Sequence, residues 1–407
     1  MKKVAIADVR DYNLENVKKA LREMFDELGM PAENPFQNIV TPGNTVFIKP
    51  NWVASRWRES CDHRDDLYCV ITHPSVIEAV ADYVAEALQG KGKIIVGDNP
   101  SIDADFSELM GHTGIRERLI GKYDCELEIK DLRPLVCDDL ANYGKKDLMV
   151  PQPGDDQGMT EVNLGKDSLL YGLDPERFRG VFDEREDTVA SHTGETQLYT
   201  YASSIFNSDV FISIPKLKTH QKVGATLNLK GLVGTISLKN QLVHWQVGHP
   251  EIGGDEYPDK QSYEEGQKAK VKHRGSWPGN DTIWRMVGDL YKGIKSKDRK
   301  YFTVIDGIIA GEGQGPFCPS SKRCNTLIAG DDFFAADCVA ARYMGLDPKK
   351  VKYLKYFLEE EYEGITLDTI EVMKDGEELK GFFNKDTRYL DFKVMHRWEE
   401  VKYNSDK

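Results

Sequence analysis

Over its first 135 residues the chain switches hydrophobic period repeatedly, from that of a strand to that of a helix and back, and this alternation limits the fold more than anything else in the sequence. "KKVAIADV" reads as a strand. "NLENVKKALREMFDELG" follows, with Leu14, Val17, Leu21, Met24, Phe25 and Leu28 at the three-and-four spacing of a helix and Gly29 able to end it. "TVFIKPN" is a second strand. "THPSVIEAVADYVAEALQG" is a second helix, with Thr72 as cap, Pro74 in the first turn and Gly90 past the end. "KIIVGDNP" and "CELEIKDL" are the third and fourth strands. Strands joined by helices pair in parallel, so the pattern predicts a mostly parallel, doubly wound α/β sheet.

The remainder divides by composition. Residues 1–139 form the α/β unit just described, and the polar, loop-rich 140–205 reads as an insertion or cap. Residues 206–350 read as a second α/β lobe, giving a two-lobed architecture. Its strands are "DVFISIPKL", "KYFTVIDGIIA" and "CNTLIAG", its helices "NDTIWRMVGDLYKGI" and "DDFFAADCVAARYMG", and 251–281 is a long charged loop. A mixed tail, 351–407, packs on the core.

Several classes are disfavoured. No apolar run reaches the eighteen or so residues of a membrane span. The apolar run before Asp8 is a strand rather than a signal peptide, which makes the cytoplasm the expected compartment. Seven cysteines, at 61, 69, 125, 137, 318, 324 and 338, contain no C-x-x-C, so reduced thiols and no iron–sulfur cluster are expected. A formal charge of −13 argues against nucleic acid as the main partner. Nothing in the sequence sets an oligomeric state.

Ligands of open parallel sheets bind beyond the carboxyl ends of the strands. The first strand delivers Asp8 and Arg10 there, the second Lys49, Pro50 and Asn51, and the third Asp98, Asn99 and Pro100. "FISIPKLKTH" delivers Lys216, Lys218 and His220, and "TVID" delivers Asp306 followed by "GEGQGP". Five such ends predict a polar crevice.

One wall of that crevice has an unusual charge. From Val210 to Pro250 there is no acidic residue, where this chain's own frequency of acids predicts roughly seven. The stretch holds Lys216, Lys218, Lys222, Lys230 and Lys239 with His220, His244 and His249. If "PKLKTHQK" stays extended, Lys216, Lys218, His220 and Lys222 face one way, and cations that close call for an anion between them. A solvated lysine edge strand is the plainer alternative. On the first reading Lys49, Lys216, Lys218 and Lys222 hold an anionic small molecule, Asn51 and Asn228 orient it, and Asp98 joins the substrate-binding set. Gly313 and Gly315 bring backbone N–H groups to it, although "AGEGQGPF" suits a plain turn equally. His220 is the candidate for proton transfer, since imidazole titrates near neutrality and neighbouring cations lower its pKa, and Lys230 is a second base. For metal, His244 and His249 are ligand types near Glu251, Asp255 and Glu256, and the oxygen pair Asp306 and Glu312 suits magnesium. His63, in "CDHRDD", reads as a solvated loop histidine.

Taken together, "VFIKPNWV", "ITHPSVIEAV", "IIVGDNP", "FISIPKLKTHQKVGATLNLKGLVG" and "IDGIIAGEGQGP…LIAGDDFFAADCVAARYMGLDP" resemble the domain-of-unknown-function 362 family, in order from about residue 45 to 350. Many relatives carry a ferredoxin-like cluster for which this chain lacks the cysteines. Its "KLKTHQK…GHPEIGGDEYPD" version resembles a cytosolic subgroup found among exopolysaccharide biosynthesis genes. That implies work in a glycan pathway on a phosphorylated or carboxylated sugar or a nucleotide-sugar. A more distant resemblance is to lactate racemase-type enzymes, through the order His220, Lys230, His244; it implies a nickel-pincer nucleotide and a racemase or epimerase. "NLKG" stands where those enzymes have a glycine-rich "GGxK" block. A non-catalytic anion-binding or scaffold protein of a biosynthetic cluster is the third reading.

Overall fold

The computed structural model describes residues 1–385 and 387–403, so Asp386 and residues 404–407 of the expected C-terminal tail lie outside the described residues. One sheet of eleven strands organises the molecule. In chain order these are β1 (Lys2–Asp8), β2 (Thr45–Pro50), β3 (Lys93–Asp98), β4 (Glu126–Asp131), β5 (Val210–Ile214) and β6 (Lys216–His220). They are followed by β7 (Gly224–Ala225), β8 (Lys300–Gln314), β9 (Cys318–Gly330), β10 (Ile370–Lys374) and β11 (Glu377–Glu378). Across the sheet the order is β11-β10-β1-β9-β8-β5-β2-β3-β4, with β6 alongside β8 and pairing β7. The run β8-β5-β2-β3-β4 is parallel, while β9 is antiparallel to both β1 and β8. Strands of residues 1–139 and of 206–350 therefore share a single sheet.

Both faces of the sheet are covered. Val46, Ile48, Ile94, Val96 and Ile212 pack on α1 (Leu14–Glu27) and α2 (Pro74–Leu88). Phe47, Ile95 and Phe211, one residue out of step, join the core on the other face. That core contains the short α3 (Leu227–Gly231), α4 (Ile283–Lys295), α5 (Phe333–Tyr343) and α6 (Lys352–Glu359). This is why the strands read as unbroken apolar runs: a strand buried on two faces has no polar side to alternate with. Each buried aliphatic side chain contributes about 1.5–3 kcal/mol over leaving it in water.

Local chemistry sets the helix starts. Asn13 caps α1, its side chain accepting from the N–H groups of Glu15 and Asn16. α2 is capped by His73, not Thr72, the His73 side chain accepting from Ser75 N. Thr72 does a different job: its hydroxyl accepts from Asn51 N at 2.8 Å and donates to Ile214 O at 2.7 Å, tying together the ends of β2 and β5.

Four expectations change. The charged loop 251–281 contains a surface helix, Lys260–Ala269, capped by Asp259 and with no buried residue. The glycine-rich 310–317 forms the end of a β8–β9 hairpin paired out to Gln314 and Cys318. Gly311 is needed there, since a Cβ would sit 2.5 Å from Cys69 O. Cys61 and Cys318 form a disulfide, Cα–Cα 5.3 Å, rather than two reduced thiols; at a separation of 257 residues no sequence spacing could signal it. His63 is also partnered, its Nε2 lying 3.1 Å from Pro319 O. Within 140–205 the longest strand pair is Met159–Asn163 with Leu198–Ala202. Among the described residues no helix is long and apolar enough to cross a membrane.

The sheet opens at Pro215. β2 accompanies β5 only as far as Pro50 and Ile214, then turns away. β6 continues along β8, with only the two-residue β7 on its other side. The gap left by β2 is the mouth of a crevice at the carboxyl ends of β2, β3 and β6.

Candidate functional site

A cavity of about 370 Å³ fills that gap. β2 contributes Lys49 and Asn51 to it, β3 contributes Asp98, Asn99 and Pro100, and β6 with the turn after it contributes Lys218, His220 and Lys222. Lys230 comes from α3, and Lys239, His244 and Trp245 from the segment that follows. Arg58, Phe317, Lys272, His273 and Arg274 complete the wall.

Asp98 is the cavity's single carboxylate among the described residues, and it is occupied. Its Oδ1 is 2.7 Å from Lys49 Nζ and accepts from Asn99 N, while Oδ2 accepts from Trp52 N at 2.7 Å. Gly234 makes this pair possible, because a Cβ there would fall 2.2 Å from Asp98 Oδ1 and 2.7 Å from Lys49 Nζ. Asn51 is held by its Nδ2 on Val70 O at 2.8 Å.

Of the other lysines around the cavity, only Lys272 meets a carboxylate among the described residues, Asp183 at 2.6 Å. Lys218 donates to Val70 O at 2.7 Å and Pro316 O at 3.2 Å, Lys239 donates to Asn99 O at 2.9 Å, and Lys222 lies over the Trp245 ring at 4.8 Å. Burial pushes Lys218, Lys222 and Lys239 down to about 7, with neighbouring cations adding to it. Lys230 is held down to about 8 by burial and by Lys49. Desolvation of the ammonium is the dominant cause in all four.

Of the three histidines that line the cavity, His220 and His244 are in opposite tautomers. His220 Nδ1 accepts a hydrogen bond from Lys222 N at 3.1 Å, which leaves its proton on Nε2. His244 Nδ1 is 2.7 Å from Leu242 O; a carbonyl only accepts, so Nδ1 carries the proton and Nε2 the free lone pair. Both rings are held well below the ordinary histidine range by burial and then by the surrounding lysines. His220 therefore stays a neutral donor at pH 7 instead of titrating near neutrality, and His244 is the imidazole with a lone pair to offer.

Other residues singled out in the sequence lie elsewhere. Lys216 points into an ion pair with Asp306, 2.7 Å, and does not line the cavity. Between the two lysines the register shifts, Lys216 pairing with Asp306 but Lys218 with Gly311, so β8 bulges there and Lys216 is left beside Asp306. Asn228 faces the core, donating to Asp337 Oδ1 at 2.9 Å and accepting from Thr303 at 2.8 Å. Gly313 and Gly315 are in the hairpin end, outside the cavity lining, and a Cβ on Gly315 would strike Thr219 O at 1.9 Å.

The proposed metal ligands do not gather. Asp306 is consumed by Lys216 and Tyr12. Glu312 accepts from Lys393 N and pairs with Lys322 at 3.2 Å. His249 packs on Tyr263 outside the cavity, with ring centroids 5.5 Å apart. Among the described residues no three His, Cys, Asp or Glu side chains are grouped to hold a metal. A nickel-pincer nucleotide would need His220, Lys230 and His244 together, and all three do line the cavity. The donor set does not fit it: His220 presents Nε2–H, and the remaining lone pair, on His244, is surrounded by ammonium groups.

Sequence reasoning did not pick out Arg58, Trp245, Lys272 or Arg274 for the site. Arg58, Lys272 and Arg274 reach it from loops whose only signal was charge, "RWRES" and "KVKHRG", and Trp245 from the acid-free stretch itself, beside His244.

The family model described as a domain of unknown function, DUF362, matches residues 46–153 and 133–342. The thylakoid-associated protein sll1697 of Synechocystis sp. is 24% identical over 351 residues, which is 86% of this chain and 77% of that protein. Among solved structures, the lactate racemase apoprotein from Thermoanaerobacterium thermosaccharolyticum aligns with a TM-score of 0.39 and 11% identity. The alignment covers 84% of this chain and 57% of the racemase chain.

Proposed function

The chain belongs to the DUF362 family, and on that premise we propose that its strand-end crevice binds and chemically transforms an anionic small molecule, a phosphorylated or carboxylated sugar or a nucleotide-sugar. One observation carries this reading: the buried Lys218, Lys230 and Lys239 and the half-buried Lys222 line a cavity whose only carboxylate among the described residues is already paired with Lys49. Like charges gathered in one cavity repel, so an anion placed among them lowers that repulsion. In this scheme Lys49, Lys218 and Lys222 hold the anion, Lys239 adds to them, and Asn51 orients it. Trp245 and Phe317 offer flat apolar surface beside the charges, as a ligand with a ring requires. The glycan setting is supported by the resemblance in the "KLKTHQK…GHPEIGGDEYPD" region alone.

The opposed imidazoles favour an enzyme over a receptor. His244 Nε2 can take a proton while His220 Nε2–H gives a hydrogen bond or a proton to developing negative charge. A passive anion receptor has no use for a lone pair among its cations.

The test has two stages. Calorimetric titration with inorganic pyrophosphate is expected to show binding that weakens with salt and is reduced at least tenfold in Lys239→Gln. A panel of sugar phosphates and sugar acids is then followed for turnover by NMR in the wild type, His220→Gln and His244→Gln. No pyrophosphate binding defeats the reading. Binding without turnover of any panel member moves the protein to the receptor class, and full wild-type rate in His220→Gln removes that residue from the chemistry.

A further inference from the structure

We infer that the crevice takes a carbonyl compound and that Lys230 is its point of covalent attachment, forming an imine with an aldehyde or ketone that also carries a phosphate or carboxylate. This rests on the anion-site reading above and names the reacting group of its ligand.

Lys230 differs from the other lysines around it. Lys49 is bound to Asp98, Lys218 and Lys239 donate to backbone carbonyls, and Lys222 covers Trp245. Lys230 has no hydrogen bond, ion pair or ring contact among the described residues, although it is only 8% exposed and lines the cavity. An amine that lines a cavity with no protein group holding it is free to meet a ligand there.

Its position is also fixed. On the short α3, the N–H groups of Asn228 and Leu229 both donate to the carboxylate of Asp337 at 2.9 Å, and Asn228 is further bonded to Thr303. The amine is thus presented from a rigid turn into a space bordered by cations able to hold the anionic end of a ligand. Burial and the Lys49 charge hold it to about 8, which leaves about a tenth of it as free amine at pH 7. An amine desolvated beside another cation is the usual arrangement of imine-forming lysines.

The two histidines complete the step. Nζ of neutral Lys230 attacks the carbonyl carbon, a C–N bond forms, and the C=O π pair moves to oxygen, which accepts a hydrogen bond from His220 Nε2–H. His244 Nε2 removes a proton from the new ammonium and passes it to the alkoxide oxygen, giving a neutral carbinolamine. The nitrogen lone pair then closes the C=N bond as the C–O bond breaks, and the remaining N–H proton passes by way of His244 Nε2 to the departing hydroxide, which leaves as water. Amine plus carbonyl gives imine plus water, with no oxidant or reductant involved.

Pyridoxal 5′-phosphate, an aromatic aldehyde carrying a phosphate, is a suitable probe. The full chain is incubated with about one equivalent, reduced with borohydride and mapped by peptide mass, with pyrophosphate titrated into a parallel sample. The expected result is one label per chain on the peptide containing Lys230, a labelling rate that rises with pH through about 8, and protection by pyrophosphate. In Lys230→Arg the label is lost. A label spread over other crevice lysines, or one that survives Lys230→Arg, overturns the assignment. Pyrophosphate binding with no label overturns the imine while leaving the anion site standing; loss of both removes the anion site as well.

Discussion

Lys216 and Asp306 form an ion pair of 2.7 Å in which neither side chain is exposed to solvent at all. Each is further satisfied: Tyr12 OH donates to Asp306 Oδ1 at 2.9 Å, Lys216 donates to Tyr12 OH at 2.9 Å, and His73 N donates to Asp306 Oδ2 at 3.0 Å. The His73 ring stacks on Tyr12 with centroids 3.7 Å apart. The pair thus joins β6 and β8 to the approaches of α1 and α2, behind the crevice and not in it.

Removing one partner leaves an uncompensated buried charge. Asp306→Ala is expected to cost about 3–5 kcal/mol, while Lys216→Met with Asp306→Leu together cost clearly less than the sum of the singles, because the double variant strands no charge. Urea denaturation midpoints of the two singles and the double decide this; strictly additive losses would show that the pair is not coupled.

The same two residues show what the sequence could reveal. Periodicity placed β1 to β4, α1 and α2 correctly because a buried face imposes its repeat on nearby residues. The acid-free stretch placed Lys218, His220, Lys222, Lys230 and His244 in one cavity because its chain winds round a single crevice. Lys216 and Asn228 were not separable from these by pattern. Their partners, Asp306 and Asp337, lie 90 and 109 residues away, too far for any local pattern to announce them. Arg58 and Arg274 arrive from irregular loops, where no period exists to read.

The crevice lysines give an unusual pH dependence of stability. Lys218, Lys239 and Lys230 are held to about 7, 7 and 8, against about 10.4 in the unfolded chain. Above these values the unfolded chain binds more protons than the folded one, so each such lysine raises stability with pH by up to about 1.4 kcal/mol per unit. Thermal melts in anion-free buffer are expected to move upward from pH 7 to 8, before the raised thiols begin to oppose the trend. Saturating pyrophosphate flattens the rise by keeping the lysines charged. A Tm that is flat or falling over this window without any anion would contradict the cavity's electrostatics.

His220 and His244 predict a separate effect on the acid side. Both folded values lie well below the unfolded 6.5, so their contribution is complete above pH 6.5 and declines as the pH falls below it. Nitrogen-15 spectra of labelled histidine should show His220 protonated at Nε2 and His244 at Nδ1, with neither titrating between pH 8 and 6. Titration of either ring near 6.5 would mean that it is solvated and would remove it from the proton-transfer scheme.

The Cys61–Cys318 disulfide clamps the loop after β2 to the end of the β8–β9 hairpin, and with it one wall of the crevice. Arg58 lies 3.4 Å over the Phe317 ring on this clamp, Asp65 accepts from Ser321 N at 2.8 Å, and Arg58 and Phe317 both line the cavity. Closing so long a loop restricts the unfolded chain, so Cys61→Ser with Cys318→Ser is expected to lose about 2–4 kcal/mol. Pyrophosphate should also dissociate faster, because the wall bearing Arg58 is released. The five other cysteines are free, Cys324 partly exposed and the rest buried. Burial pushes both Cys69 and Cys324 up to about 12. Native protein treated with iodoacetamide at pH 7.5 should therefore remain largely unalkylated, since the thiolate is the reacting form. Peptide mapping without reductant should recover the fragments of Cys61 and Cys318 joined. Recovering them separately, with both cysteines alkylated in the native protein, would show that this wall is held by the Arg58, His63 and Asp65 contacts and not by a covalent bond.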